Sequence, residues 1–289
     1  MILVTGASGH LGRAAIESLL AKQVDPAHIA ALVRDKAKAA DLAAKGVQLR
    51  EGDYSDTASL EKAFAGVNKL LLVSSSDVQG DRYLQHKAVI DAAKAAGVQH
   101  IAYTSINSND RGNTRIPFII DAHVQTEAYL QQAGVAYTIL QNNLYADLIP
   151  AFLGHQVLET GIYFPAGEGR VAFALRTDMA AAAAAVFTTA GHENKTYAIA
   201  GNEAISFSDI AQMLSRISGK EIVYHHATPE DYVAELGKTG LPAEVAGFFA
   251  SFAAAAVQNE FDTNNTDLET LLGRAPVSVE AFLAGVYGK

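Results

Sequence analysis

The sequence contains no cysteine, which excludes disulfides, thiolate nucleophiles and Cys-ligated zinc or iron–sulfur sites together. Basic residues are in deficit. Lys and Arg number 22 against 31 Asp and Glu, for a formal net charge of -9, whereas a surface that tracks nucleic-acid phosphates needs the opposite balance. No apolar run approaches the roughly 20 residues that span a bilayer, and the first residues read as a strand rather than as the charged start of a signal peptide. Repeats of solenoid period are absent as well. The adjacent His225 and His226 would point to opposite faces of a strand and could not readily share a metal. These absences predict a cytoplasmic protein acting on a small molecule, with no nucleic-acid partner, no membrane association and no metal site. A homodimer is left open.

What is present is a chain of 289 residues, 49% hydrophobic, long enough to bury a large core. Up to residue 140, short β-branched or apolar runs alternate with longer Ala-rich stretches, the pattern of repeated βαβ units around a parallel sheet. The predicted strands are Ile2–Val4, His28–Val33, Gln48–Glu51, Lys69–Val73, His100–Thr104 and Ala136–Leu140. Their near-continuous apolarity implies that both sheet faces are covered.

After Tyr145 the rhythm changes. Gly161, Pro165, Gly167 and Gly169 crowd a loop-rich stretch, and Thr177-Asp178 then reads as the cap of an Ala-rich helix running through Phe187. Phe207–Ser218, Pro229–Leu236 and Pro242–Val257 read as further helices. The fold class is therefore α/β: a Rossmann-type, doubly wound parallel sheet with a smaller, mostly helical C-terminal lobe. Residues 1–148 form the expected dinucleotide-binding domain, with about 171–200 packed back on it, and residues 149–289 the expected substrate-binding lobe.

The motif that carries chemistry is Gly6-Ala7-Ser8-Gly9-His10-Leu11-Gly12, which joins a buried strand to a helix. Gly6 permits a tight exit, Gly9 lets backbone approach a pyrophosphate, and Gly12 lets helix and strand pack closely. The free N–H groups at the helix start then face the anion. Position 34, at the end of the second strand, refines the cofactor. An NAD-binding unit places an acid there for the ribose 2′-hydroxyl, and this chain has Arg34, whose guanidinium suits a 2′-phosphate. NADPH is thus expected over NADH, with Lys36 and Lys38 adding positive charge. Asp35 could serve a ribose hydroxyl instead, and the bland alternative for Arg34 is a solvated surface charge.

Further motifs lie at the other strand ends: Gly52-Asp53-Tyr54, Ser74-Ser75-Ser76 and Thr104-Ser105, then His123-Val-Gln-Thr-Glu127 and the run from Tyr137 through Gln141, Asn142 and Asn143 to Tyr145. Over essentially its whole length the chain resembles the NmrA-like branch of the atypical short-chain dehydrogenase/reductases, and within it the flavin-free quinone reductases and triphenylmethane reductases. The resemblance implies NADPH-dependent hydride transfer to a quinone-like acceptor. It also implies Asp53 near the adenine, Tyr54, Thr104 and Ser105 as further cofactor-binding residues, Ser74–Ser76 along the cofactor's path, and Asn142 and Tyr145 beside the nicotinamide. Two departures stand out: no Tyr followed four residues later by Lys is recognisable after Ser105, and Gln141 stands where an Arg is expected. His123 occupies the place of the Lys in many relatives. It could donate a proton or bond a ribose hydroxyl, or it could be structural. Tyr103 and Tyr137 read as packing, as do Phe248, Phe249, Phe252 and Phe261, although the phenylalanines could wall an acceptor pocket. Two alternatives remain beside the quinone reductase: a reductase of triphenylmethane dyes or other enones, and an NADP(H)-sensing regulator without turnover.

Overall fold

The computed structural model describes residues 1–77, 80–238 and 242–288. A parallel sheet of seven strands forms its centre. In chain order these are β1 (Ile2–Val4), β2 (Ile29–Val33), β3 (Gln48–Glu51), β4 (Lys69–Leu72), β5 (His100–Ile106), β6 (Ala136–Asn142) and the strand Lys195–Ile199. Their spatial order runs β3-β2-β1-β4-β5-β6 and then Lys195–Ile199, every neighbouring pair being parallel. The order reverses between β1 and β4, and the crevice at such a switch point is where open α/β sheets bind ligands.

The strands match the apolar runs because both faces are covered. Every residue of β1, β2 and β5 is buried. One face packs under α1 (His10–Ala21) and the helix Arg176–Thr188, the other under α3 (Thr57–Ala63), α4 (Arg82–Ala95) and α5 (Pro117–Gln132), with α2 (Ala40–Ala44) lying between β2 and β3 in sequence. The edge strand Lys195–Ile199 was not among the predicted strands: its sequence, Lys-Thr-Tyr-Ala-Ile, is half polar and its outer end exposed. β5 and β6 extend two residues beyond the predicted ends, to Ile106 and Asn142, which carries their ends up to the crevice.

The Ala-rich helix is not capped by Thr177-Asp178. It starts at Arg176 with Leu175 in the cap position and no side-chain cap. Asp178 is instead buried, accepting bonds from Arg274 Nη2 (2.6 Å) and the Val277 N–H (2.7 Å), so it anchors the C-terminal segment. The remaining chain builds the smaller lobe from helices Phe207–Ser218, Pro229–Lys238, Ala243–Val257 and Val279–Tyr287 and two short two-stranded sheets. Its core is aromatic, centred on Phe152, Phe164, Phe207 and Tyr232. The helix Phe207–Ser218 opens on a complete capping box between Ser206 and Asp209, which offsets the unpaired N–H groups of its first turn.

Candidate active site

The glycine turn is built by close approach. Gly6 has φ +58°, a conformation that a Cβ disfavours, and its carbonyl accepts the Gly9 N–H at 2.9 Å. A Cβ on Gly12 would lie 2.5 Å from the Gly6 oxygen and 2.8 Å from the Thr5 oxygen, so only glycine lets α1 start against the end of β1. Gly9 caps α1 without a side chain, which leaves the first-turn N–H groups open to an anion.

In front of this turn lies a cavity of 750 Å³, lined by Gly6 and Ser8–Gly12, by Leu32–Arg34 at the end of β2, by Gly52–Ser55, by Val73–Asp77, and by Gln85, Tyr145 and Arg176. Its size falls within the range of about 300–1,000 Å³ usual for small-molecule and cofactor sites. A dinucleotide fits what lines it: open amides for the pyrophosphate, the exposed Arg34 for a 2′-phosphate, and a glycine cradle that a side chain would fill. Thus Gly6, Ser8, Gly9, His10, Leu11, Gly12, Arg34, Asp53, Tyr54, Ser74, Ser75, Ser76 and Tyr145 meet on one cavity. Ala7, Thr104, Ser105, Asn142 and His123 do not line it; all five are buried behind the wall.

Of these, Thr104 bonds the wall directly, together with Thr5, Tyr54, His86 and Arg82. Val73 N–H donates to Thr5 Oγ1 (2.9 Å), and the Tyr54 hydroxyl donates to the Val73 carbonyl (2.7 Å). Ser74 N–H donates to Thr104 Oγ1 (2.9 Å), Ser75 N–H to His86 Nε2 (2.7 Å), and Arg82 Nε to the Ser75 carbonyl (2.8 Å). Every peptide from Val73 to Ser75 is therefore held from behind by a side chain. Ser105 donates to Glu127, whose carboxylate also takes Arg111 (2.7 Å) and Gln141 (3.2 Å); Gln141, where an Arg was expected, serves an ion pair that Arg111 completes.

His86, Tyr103 and His123 form one buried network. Because His86 Nε2 accepts the Ser75 N–H, its proton sits on Nδ1 and goes to Thr126 Oγ1 (2.9 Å), which itself donates to the Ala122 carbonyl (2.6 Å). His123 Nε2 lies 3.3 Å from Arg82 Nη2. A guanidinium can only donate, so this nitrogen accepts and His123 Nδ1–H donates to the Tyr103 oxygen (2.7 Å). Burial, then the Arg82 charge, pushes His86 down to about 3 and His123 well below the ordinary imidazole range. Both rings are therefore neutral. This placement supports His123 as an acceptor for Arg82 rather than as a proton donor, and it gives Tyr103, read from sequence as packing, a polar role at its hydroxyl.

At the other end of the cavity, Tyr145 is half-buried beneath Arg176, whose guanidinium carbon lies 5.3 Å from the ring centre. Arg176 is ion-paired with Asp147, which also accepts the Arg176 N–H at 3.1 Å. Burial raises the Tyr145 phenol, opposed by the Arg176 charge and a hydrogen bond with Asn142. Arg82, Arg176, Gln85 and His86 were not identified from the sequence. Arg176 and Asp147 are 29 residues apart, so no local spacing could have linked them. Among the phenylalanines, Phe261 is fully buried and stacked on Phe252, which fits packing. His226 accepts the Gly167 N–H (3.1 Å).

The comparisons agree with this architecture. Residues 1–283 match the NmrA-like family. Quinone oxidoreductase 2 of Escherichia coli is 43% identical over 99% of each chain. Among solved structures, the Citrobacter sp. triphenylmethane reductase complexed with NADP(H) superposes with a TM-score of 0.92 at 37% identity, covering 99% of each chain. The E. coli NADPH-dependent quinone oxidoreductase complexed with NADPH superposes with a TM-score of 0.90 at 39% identity, covering 100% of each. With the strand order, the glycine turn and the crevice all in place, the chain belongs to the NmrA-like family.

Proposed function

We propose that this chain is an NADPH-dependent reductase that transfers hydride to a quinone-like acceptor. The observation that carries the reading is a single cavity running from Arg34, past the glycine turn, to Tyr145 and Arg176; the quinone and triphenylmethane reductases it resembles support it. NADPH, when bound, supplies the hydride. The chain's own residues bind and orient: the α1 amides face the pyrophosphate, Arg34 takes the 2′-phosphate, Asp53 and Tyr54 flank the adenine, and the fixed Val73–Ser75 peptides keep the reacting end in place. Tyr145, held from behind by its hydrogen bond with Asn142, positions the carboxamide or the acceptor oxygen, while His123 supports the Ser75 peptide through Arg82. Orientation at near-attack distance is then the main contribution to rate.

In this reading residues 1–148, with about 171–200, hold the cofactor, and the rest of 149–289 walls the acceptor. The protein works in the cytoplasm on a small molecule. Among the described residues no helix is long and apolar enough to cross a membrane. The test is NADPH oxidation by purified, flavin-free protein with 1,4-benzoquinone and a triphenylmethane dye, each compared under NADPH and NADH. Saturable quinone turnover with a preference for NADPH is expected. Tight NADPH binding with neither acceptor reduced would overturn the reading in favour of a regulator.

A further inference from the structure

Arg82 is an anomaly beside the site. It is 8% exposed, yet its hydrogen-bond partners are a carbonyl oxygen and a neutral imidazole, not a carboxylate. Its Nη1 is buried and has no hydrogen-bond partner among the described residues. Asp77 acts on it at a distance, after burial and the phenols of Tyr103 and Tyr145. A buried guanidinium without a paired acid is costly, and an orphaned buried donor calls for a reason. Packing supplies none. His123, itself bonded to Tyr103, and the Ser75 carbonyl instead hold the charge in place.

The location is informative. Arg82 grips the carbonyl of Ser75, which lines the cavity, and its charge reaches the phenol of Tyr145 on the same cavity. We propose that Arg82 is a specificity-determining residue, whose unpaired positive charge favours acceptors that become anionic on reduction over acceptors that are themselves cations. This rests on the reading of the site as an NADPH-dependent reductase. A quinone that takes up hydride becomes a hydroquinone monoanion, which then gains a proton from water; the donor leaves as NADP+. A cationic triarylmethane dye that takes up hydride becomes neutral. A fixed positive charge stabilises the first product, and it raises the energy of the second acceptor as that acceptor binds. Oxidation of the donor is common to both reactions and cancels in their ratio.

The test is the ratio of kcat/KM for 1,4-benzoquinone to that for a cationic triphenylmethane dye in the wild type, Arg82→Met and Arg82→Lys. Dissociation constants for NADPH, measured by fluorescence, establish that each variant folds and binds. Removing one charge at an effective protein dielectric should shift the ratio on the order of tenfold. Arg82→Met is expected to lower it, chiefly through the quinone, and Arg82→Lys to keep it near the wild-type value. In parallel, the apparent pKa of 4-nitrophenol bound to the NADP+-loaded protein, followed by its phenolate absorbance, should rise in Arg82→Met. Equal loss with both acceptors and an unchanged nitrophenol pKa would overturn the proposal and leave Arg82 a structural role. A wild type that binds NADPH but reduces no quinone would overturn the reading beneath it.

Discussion

Gly12→Ala places a methyl carbon 2.5 Å from the Gly6 oxygen, 2.8 Å from the Gly6 carbonyl carbon and 2.8 Å from the Thr5 oxygen. All three are backbone atoms at the end of β1, so no side chain can rotate aside and α1 must move away from the sheet. Overpacking of this kind costs about 1–3 kcal/mol, and contacts this short with immobile atoms point to the upper end. Replacing Gly by Ala inside a helix gains about 1 kcal/mol of propensity. The net expectation is a destabilisation of about 2 kcal/mol, or a fall in Tm of roughly 3 °C for a chain of this size. Gly9→Ala is the internal control: its Cβ meets only the Gly6 oxygen, at 3.3 Å, so it should leave the Tm of the free protein nearly unchanged while obstructing the pyrophosphate. Thermal unfolding by circular dichroism, with NADPH affinity by fluorescence, separates the two effects. A Gly12→Ala protein as stable as the wild type would refute the argument that close backbone approach fixes this residue.

Arg34→Ala should weaken NADPH binding about tenfold, the low end for a charge-assisted contact because the side chain is exposed, and leave NADH nearly unaffected; equal losses in a titration of both would remove Arg34 from the 2′-phosphate. The depressed imidazoles of His86 and His123 give stability a definite pH dependence. Their neutral forms stabilise the fold fully above the ordinary value of about 6.5, and that contribution is lost as pH falls from there towards the folded value of about 3 for His86. Urea midpoints should therefore decline below about pH 6.5 and decline less in His86→Asn, while a flat profile would contradict the buried neutral assignment. Glu260 is fully buried and accepts the Arg115 N–H (2.7 Å) and the Thr114 hydroxyl (2.6 Å), fastening the loop after β5 to the smaller lobe. Glu260→Ala should cost about 3 kcal/mol in urea unfolding, since it strands these donors, and an unchanged midpoint would show that the loop is held by other contacts.

The sequence by itself determined the sheet and the cofactor turn. Apolar runs bounded by turn residues locate β1 to β6, because strands covered on both faces must be apolar throughout. Gly6, Gly9 and Gly12 are legible because a tight exit and a close helix start require glycine at that spacing, and Arg34 because the end of β2 lies a fixed distance along the chain. Tertiary structure decided what lies behind the cavity wall. The half-polar strand Lys195–Ile199 pairs only because β6 offers it an open edge. Asp178 looked like a helix cap and became the anchor of a segment about 100 residues later. His123 meets Arg82 and Tyr103 in the folded chain, and Arg176 reaches Tyr145 because Tyr145 pairs with Ala174 and Asp147 holds the guanidinium. Local periodicity and turn chemistry are written in adjacent residues; burial, tautomer and charge pairing depend on groups that the chain brings together only when it folds.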